Sequence, residues 1–361
     1  MKFKELEFYN FRNIKCSSIE VDALDIIFLG INGQGKTNLL EAIYMLCYGS
    51  SFRTQNLKDV ICHGQKEMRL SATFSSDYYE CSKVEFVFQN NAKKIYLDGK
   101  LLKDRKELIY NFPCIVYSHE DINFIKGEPE NRRNFFDQMI SLYSPEYLDN
   151  LRLYNRVLKQ RNAAIKAGEF SLIQFYDLKL VQLSLVLMNE RKEIITEFNE
   201  LYPTLYKKIS GTETEISIKY RTSFKSHTVD EMLEELKACF ERDIKMQTTT
   251  LGIHRDRFTI YDEHGPFINT GSTGQLRLAT LLLRVAEGHF FLAKTGRKPI
   301  LLIDDVLLEL DSTKRARFLN EMKNYEQAFY TFLPQENYFD ASIENELVYN
   351  IVNGDIKNGS N

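Results

Sequence analysis

The sequence predicts an α/β fold in which one domain is divided by a helical insertion. A short apolar run, residues 25–29, leads into a glycine-rich loop and a helical pattern, and a second apolar run, residues 299–303, ends in two aspartates. Between them, from Ser144 to Leu201, apolar residues recur every three or four positions. We therefore expect residues 1–125 and 245–361 to form one head domain and residues 126–244 to form a helical arm.

Several local signals place individual elements. Residues 3–9 alternate as a strand does, and Asp98-Gly99 lies between alternating apolar positions, which predicts a hairpin because both residues tolerate positive φ. Ser144 followed by a proline predicts a helix start, and Gly168 separates this helix from a second one, giving a helical hairpin. A capping-box pattern at Thr228 predicts a third helix through Phe240, and residues 353–361 are expected to fray.

Composition is that of an ordinary globular protein. The 361 residues are 43% hydrophobic and 27% charged, which argues against a disordered chain. Because the net charge is −3, any contact with nucleic acid must come from local patches. The N-terminus lacks a signal-peptide pattern, and no uninterrupted apolar run approaches the ~20 residues that span a bilayer, so we expect a cytoplasmic protein.

The six cysteines lie far apart without C-x-x-C spacing. This spacing argues against a zinc knuckle, a redox motif or a disulfide framework. We expect buried core thiols at Cys16, Cys47, Cys62, Cys81, Cys114 and Cys239.

The glycine-rich loop fits the Walker A pattern G-x-x-x-x-G-K-[ST] at every fixed position. In such loops backbone N–H groups wrap a polyphosphate at a helix N-terminus, the lysine reaches the β- and γ-phosphates, and the hydroxyl binds Mg²⁺. The candidate nucleotide-binding residues are Gly30, Ile31, Asn32, Gly33, Gln34, Gly35, Lys36 and Thr37.

The second apolar run has the features of a Walker B element, a buried parallel strand that ends in acids. Such a strand places Asp304 beside Mg²⁺ and Asp305 near an attacking water. Asp304, Asp305 and Lys36 are therefore the candidate catalytic residues, and Thr37 and Asp304 the candidate metal ligands. Alone, paired acids after a strand are more often a helix cap or a solvated turn.

A third segment, starting at Ser272, precedes a leucine-rich helix. Ser272, Gly274 and Gln275 could present a hydroxyl and backbone N–H groups to an anion at a helix start. Taken singly, an ordinary serine N-cap is the favoured interpretation. Together with both Walker motifs, the segment has the character of an ABC-type signature.

Over nearly its whole length the chain resembles the RecF family of DNA-repair ATPases, which are related to SMC proteins. The segments that carry the resemblance are Asn10-Phe11-Arg12-Asn13, Walker A continuing through Tyr44, Ser51-Phe52-Arg53-Thr54, Ser118-His119-Glu120-Asp121, residues 127–137, Gly252-Ile253-His254-Arg255-Asp256, the signature, and Asp304-Asp305 through Asp311. The resemblance implies an ABC-type P-loop ATPase head split in sequence by a helical arm.

It also implies a function: an ATP-dependent protein that binds DNA at gaps or single-strand/duplex junctions, works with RecO and RecR, and helps load RecA in recombinational repair and the SOS response. ATP and Mg²⁺ are the implied cofactors, and a slow DNA-stimulated ATPase the implied activity. In ABC-type heads a nucleotide lies between the Walker A of one protomer and the signature of the other. One copy of each motif therefore predicts an ATP-dependent homodimer.

Two alternatives stay open: a nucleotide-binding subunit of another ABC-type system, and a DNA-binding module that hardly hydrolyses ATP, since aspartate stands where most ABC ATPases have a catalytic glutamate. The chain departs from the family pattern at His119, Arg257, Leu276 and Leu308. Thr331 occupies the region where many ABC ATPases have a switch histidine.

For residues outside the core motifs, a structural and a functional interpretation are about equally supported. Arg12 and Arg53 lie near the nucleotide by resemblance, or form surface ion pairs. His254 is a core or capping histidine, or by resemblance lies near the site. Arg152, Arg156 and Lys159, with Arg161 beyond, form either the solvated face of an amphipathic helix or a DNA-contacting row, and the solvated face is slightly favoured.

Overall fold

The computed structural model describes residues 1–76, 79–334 and 346–359. Its strands are β1 (Lys2–Phe11), β2 (Ile14–Glu20), β3 (Asp25–Leu29), β4 (Glu67–Ser76), β5 (Tyr79–Gln89), β6 (Ala92–Leu97), β7 (Lys100–Leu101), β8 (Cys114–Tyr117), β9 (Ser217–Arg221), β10 (Arg257–Asp262), β11 (Gly265–Pro266), β12 (Ile300–Asp304), β13 (Gln327–Phe332), β14 (Glu346–Val352) and β15 (Asp355–Asn358). Its helices are α1 (Lys36–Tyr48), α2 (Lys106–Asn111), α3 (Asn123–Lys126), α4 (Pro129–Tyr143), α5 (Pro145–Ala167), α6 (Ile173–Ser210), α7 (Val229–Ala238), α8 (Phe240–Met246), α9 (Phe267–Thr270), α10 (Thr273–Thr295) and α11 (Ser312–Glu321).

The chain divides into two compact units, so the predicted α/β fold with a helical insertion is confirmed. Residues 1–119 and 287–361 form the first unit, and residues 120–286 form the second. The second boundary falls well beyond the expected one between residues 244 and 245. Strand pairing is the reason for the part up to Pro266: β10 pairs antiparallel with β9 and β11, which joins it to the helical unit instead of the head.

The first unit contains two six-stranded sheets. One is antiparallel, in the order β2-β1-β4-β5-β6-β7, and its β6–β7 hairpin turns at Asp98 and Gly99, both at positive φ as predicted. The other has the order β15-β14-β3-β13-β12-β8, parallel except for the antiparallel edge strand β15. Helix α1 packs against strands of both sheets and buries Leu40 and Ile43 in the shared core.

The expectation that the chain frays from Asn353 is wrong for the described residues. Strand β15 pairs with β14 in regular register, with Ile351 opposite Ile356. A turn of Asn353 and Gly354, both at positive φ, joins the two strands. Asparagine and glycine, taken as signs of disorder, are here the residues that a tight hairpin turn requires.

The second unit contains the predicted helical hairpin of α5 and α6. The Ser144 hydroxyl caps α5 by accepting the N–H of Tyr147 at 3.1 Å, and Gly168 ends α5 at positive φ. Thr228 likewise caps α7, but the helix does not continue to Phe240 as expected, because it is interrupted at Cys239 and α8 follows. A small antiparallel sheet, β11-β10-β9, completes the unit.

Within the described residues, the stretch Phe170–Ser210, which contains α6, is the one helix long and apolar enough to cross a membrane, and the absence of a long uninterrupted apolar run did not predict it. Its Leu187 and Phe198 are fully buried in the second unit, and Arg191 between them is ion-paired there. These contacts are those of a core helix.

The cysteine prediction is correct in part. All six are free thiols. Cys47 and Cys114 are buried and Cys62 and Cys239 are half-buried, but Cys16 and Cys81 are exposed at strand positions that face solvent. The residue type alone does not say which face of a strand it occupies.

Two arginines are buried in the second unit with acidic partners. The Arg191 guanidinium donates to both carboxylate oxygens of Asp137 at 2.8 and 2.9 Å, to the carbonyl of Ile253 and to Asp256 at 3.1 Å. Arg161, which the sequence placed near the cationic row, donates instead to Asp177 at 2.6 Å and Asp243 at 2.7 Å. These pairs tie α4, α5, α6, α8 and the segment before β10 together.

Replacing Arg191 with Met is expected to destabilise the protein by about 3–5 kcal/mol, because Asp137 and Asp256 would stay buried without a counter-charge. Urea denaturation followed by circular dichroism measures this loss. Replacing the half-buried Lys192 with Met is the matched control on the next position of the same helix, with an expected change within about 0.5 kcal/mol. Equal midpoints for the two variants would contradict the structural role assigned to Arg191.

Candidate nucleotide-binding site

The site lies at the carboxyl edge of the parallel sheet in the first unit. There β3, β13 and β12 are neighbours, with Leu29 opposite Phe332 and Thr331 opposite Asp304. The loop after β3, Thr331 and the acids after β12 are therefore delivered to one edge. This is where open α/β sheets bind ligands.

The glycine-rich loop has the backbone that its pattern requires. Gly33 and Gly35 have φ of +82° and +114°. A Cβ on Gly30 would lie 2.8 Å from the carbonyl oxygen of Ile351, and one on Gly35 would lie 2.7 Å from Oδ1 of Asn13. Helix α1 begins at Lys36 without a side-chain cap, so its first N–H groups stay available to an anion.

Four of the candidate side chains converge beyond this loop. The Thr37 hydroxyl donates to Oδ1 of Asp304 at 2.8 Å. The buried Lys36 ammonium donates to the carbonyl of Gly30 at 2.8 Å and lies 3.5 Å from a carboxylate oxygen of Asp305. Burial raises the pKa of Asp304, with hydrogen bonding by Thr37 opposing the shift and the charge of Asp305 adding to it.

Thr331 joins the two aspartates. Its Oγ1 accepts the backbone N–H of Asp305 at 2.9 Å and lies 3.1 Å from Oδ1 of Asp304 and 2.9 Å from Oδ1 of Asp305. A threonine hydroxyl has one proton, so it can donate to only one of these carboxylates at a time. Asp305 has a left-handed backbone, φ +54°, which the hydrogen bond from its N–H to Thr331 helps to hold.

The arrangement fits a magnesium–nucleotide. A hydroxyl and a carboxylate in contact, Thr37 and Asp304, are the oxygen ligands that Mg²⁺ takes in phosphate sites. Loop glycines at positive φ, uncapped N–H groups and one buried ammonium suit a polyphosphate. Lys36 would hold the phosphates, Thr37 and Asp304 the metal, and the metal would supply charge neutralisation.

Sequence reasoning missed the residues that hold the loop from outside. Asn13 donates to the carbonyl of Gln34 at 2.9 Å and accepts from Asn38 at 2.8 Å. The backbone N–H groups of Asn353 and Gly354 bind the side chain and the carbonyl of Gln34 at 2.6 and 2.9 Å. The segment expected to fray thus supports the loop, and only the family resemblance at Asn13 pointed to any of these contacts.

Arg12 and Arg53 both bind the fully buried Glu41 of α1. Arg12 is bidentate, at 2.9 and 2.7 Å, and Arg53 lies 3.3 Å from the same carboxylate. Both arginines also line an open cleft of about 910 Å³, together with Asn13 and Asn38. The ion-pair alternative is therefore confirmed for both arginines, and their proximity to a nucleotide stays a prediction.

The signature residues belong to the second unit. Ser272 and Gln275 cap each other at the start of α10: the N–H of Ser272 donates to the Gln275 side chain at 2.8 Å, and the N–H of Gln275 to the Ser272 hydroxyl at 3.3 Å. Ser272 and Gly274 are exposed, with no atom within 4 Å of a Cβ built on Gly274. Ser272 is therefore an ordinary N-cap, and the start of the helix is exposed at Ser272 and Gly274. Leu276, which follows, is buried.

The structure places His254 inside the second unit, as the core alternative held. One ring nitrogen bonds the Tyr154 hydroxyl at 2.7 Å and the other the carbonyl of Thr249 at 3.0 Å. Burial lowers its pKa to about 4, so it is neutral at physiological pH. Of the cationic row on α5, Arg156 and Lys159 are exposed and Arg152 is half-buried.

Comparison with known proteins identifies the relatives of this arrangement. The family model described as the RecF/RecN/SMC N terminal domain matches residues 2–351. A Treponema pallidum (strain Nichols) protein described as "DNA replication and repair protein RecF" is 35% identical over 347 residues, covering 96% of this chain and 98% of that protein. A Clostridioides difficile (strain 630) protein with the same description is 31% identical, with full coverage of both chains.

Solved structures agree with this relationship. The structure described as the recombination mediator protein RecF-ATP in the RecFOR pathway aligns with a TM-score of 0.90 at 28% identity, covering 99% of this chain and 97% of the other. An SMC head bound to the C-terminal winged-helix domain of ScpA aligns with a TM-score of 0.60 at 15% identity, which concerns the fold alone. The predicted head fold is confirmed.

Replacing Thr331 with Val keeps the shape but removes the hydroxyl shared by the aspartates. For the ATPase activity proposed below, losing a buried hydrogen bond of ~1–3 kcal/mol corresponds to roughly a 5- to 150-fold fall in the rate of ATP turnover, with little change in the ATP concentration needed for half-saturation. Thr331→Ser, which restores the hydroxyl, should recover the rate. Single-turnover assays on both variants, with thermal melting as a folding check, test this, and equal rates for Val and Thr would rule out the positioning role.

Proposed function

The chain belongs to the RecF family, and on that premise we propose that it is an ATP-dependent DNA-binding protein of recombinational repair and replication restart. Relatives over 30% identical along their whole length are described as DNA replication and repair proteins. We further propose that it recognises gapped or single-strand/duplex junction DNA in the cytoplasm, acts with RecO and RecR, assists RecA loading and supports the SOS response. A structural relative described within the RecFOR pathway supports the choice of these partners.

ATP with Mg²⁺ is the proposed ligand. The single observation that carries this proposal is the convergence of Lys36, Thr37, Asp304 and Asp305 beyond a glycine loop at the carboxyl edge of the parallel sheet. Two structural neighbours that are 28% identical are described with ATP or an ATP analogue. In this proposal Asp305 acts on the attacking water, and turnover is slow and stimulated by DNA.

ATP is also proposed to drive a symmetric homodimer. The chain has one Walker A and one signature segment, and Ser272 and Gly274 of the latter are exposed at a helix start. A composite site formed by the loop of one protomer and the signature of its partner uses both segments in each of two equivalent sites. Sedimentation velocity with and without Mg-ATP and a gapped duplex tests ligand, dimer and DNA binding together.

Two variants separate the two halves of the composite site. Lys36→Ala should lose the contact with the terminal phosphates and with it the ATP-induced dimer, because the ammonium supplies the counter-charge of the loop. Ser272→Arg should still bind ATP as a monomer, since the change lies on the exposed cap, but should fail to accept the partner's nucleotide. Fluorescent-nucleotide titration and sedimentation measure the two properties. Wild-type dimerisation of Ser272→Arg would disprove the composite site.

Asp305→Asn distinguishes a slow ATPase from a module that only binds ATP. Asp304 and Thr37 remain as metal ligands, so Mg-ATP should bind as in the wild type and the dimer should accumulate. Turnover should fall by roughly 10²- to 10⁴-fold, the usual contribution of a general base. Unchanged turnover would transfer the role to another acid, and Glu120 is the exposed candidate, since Asp121 is paired with Arg284 at 3.0 Å.

A further inference from the structure

The small sheet of the second unit has one buried face and one cationic face. Ile218 on β9 and Phe258 and Ile260 on β10 point inward and are buried. Because side chains alternate along a strand, the residues that alternate with these buried positions face outward. They are Ser217, Lys219, Arg221, Arg257, Thr259 and Tyr261, a set with three cations and no acid.

Two of these cations oppose each other directly. Arg221 and Arg257 are register partners on adjacent antiparallel strands, a position that puts their Cβ atoms about 4.5–5.5 Å apart, and like charges there destabilise a sheet. In the part of the chain that the structure describes, neither forms a salt bridge with a carboxylate. An external anion bound beside both guanidinium groups would relieve this repulsion.

Neighbouring side chains fix the position of Lys219 and add a further cation near this face. The Lys219 ammonium lies 4.3 Å from the centre of the Tyr261 ring, which fixes it over the outward face. Arg132 of α4 lies near this face: burial lowers its pKa, the charges of Arg133 and Arg257 lower it further, and the charge of Glu128 opposes the shift. Its guanidinium is fixed by bonds to the carbonyls of Ile125 and Gly127 at 2.9 and 3.1 Å.

We infer that the outward face of β9 and β10, centred on Lys219, Arg221 and Arg257, binds the phosphodiester backbone of DNA. Lys219 and Arg221 are two residues apart on one strand, about 6.8 Å, so both can contact one DNA strand, whose charges repeat every ~3.4 Å along the helix axis. The inference rests on the proposed DNA-binding function and assigns it to a surface. A flat strand pair with regularly spaced cations contacts a linear polyanion along its length.

The helical row that the sequence suggested is a weaker candidate. Arg152 is half-buried and takes part in other interactions of the chain, and Asp149 lies one turn before it on α5. Its charges are therefore partly compensated within the helix, as on an ordinary solvated face. Within the described residues, Lys219, Arg221 and Arg257 form no ion pair with a carboxylate.

Two triple variants of equal charge change test the assignment. The sheet variant is Lys219→Gln, Arg221→Gln and Arg257→Gln. The matched control on the same unit is Arg152→Gln, Arg156→Gln and Lys159→Gln. For each, and for Arg257→Gln alone, fluorescence anisotropy with a labelled gapped duplex in Mg-ATP gives the dissociation constant over a range of potassium chloride concentrations.

The sheet variant should flatten the plot of log affinity against log salt by up to roughly 0.9 per lost contact, hence by up to about 2.7, and Arg257→Gln by up to about 0.9. The control should keep the wild-type slope, and ATP binding should be unchanged throughout. The melting temperature of Arg257→Gln should not fall below that of the wild type, because a repulsion is removed.

The outcomes separate this inference from the function on which it rests. Wild-type DNA binding with unchanged slopes in both sheet variants would overturn the inference alone, including the case in which this face binds an acidic protein. A flattened slope only in the helical-row variant would also overturn it and return the contact to α5. Failure of the wild type to bind DNA at all would overturn the proposed function and the inference with it.

Discussion

The register of three neighbouring parallel strands determines the candidate site. Because Leu29 pairs with Phe332 and Thr331 pairs with Asp304, the loop after β3 and the acids after β12 end at the same level of the sheet. A slip of one residue would turn Thr331 to the opposite face. The contacts of Thr37, Asp304 and Asp305 therefore depend on backbone pairing between segments nearly 300 residues apart in sequence, and the buried apolar strands maintain it.

The sequence predicted the parts of the site that depend on local backbone chemistry. The glycine loop, the helix that follows it and the strand ending in Asp304 are each encoded within a few residues, so pattern and periodicity were sufficient. The support around the loop was not predictable in this way. Asn13, Gln34 and Gly354 meet only because strands from both ends of the chain share one unit, and no local signal records such pairing.

The same reason explains the misplaced domain boundary. A local pattern does not name the partner of a strand, and β10 pairs with β9 of the helical unit. Charge patterning failed similarly at Arg161, and at His254 the core interpretation held instead of the one that the resemblance implied. Both belong to segments that suggested a surface or a site, and both are enclosed by side chains from elements distant in sequence.

The cations of the second unit fall into two groups: buried cations paired with carboxylates, and exposed cations that oppose each other. Arg161 and Arg191 are buried, and each has two carboxylates, so their cost of desolvation is offset inside the unit. Arg221 and Arg257 are exposed and face each other. An exposed cation needs no partner for solubility, but a directly opposed pair costs stability that one substitution would restore. A net charge of −3 thus says little about this protein, because four carboxylates pair with two buried arginines while positive charge collects on one sheet face.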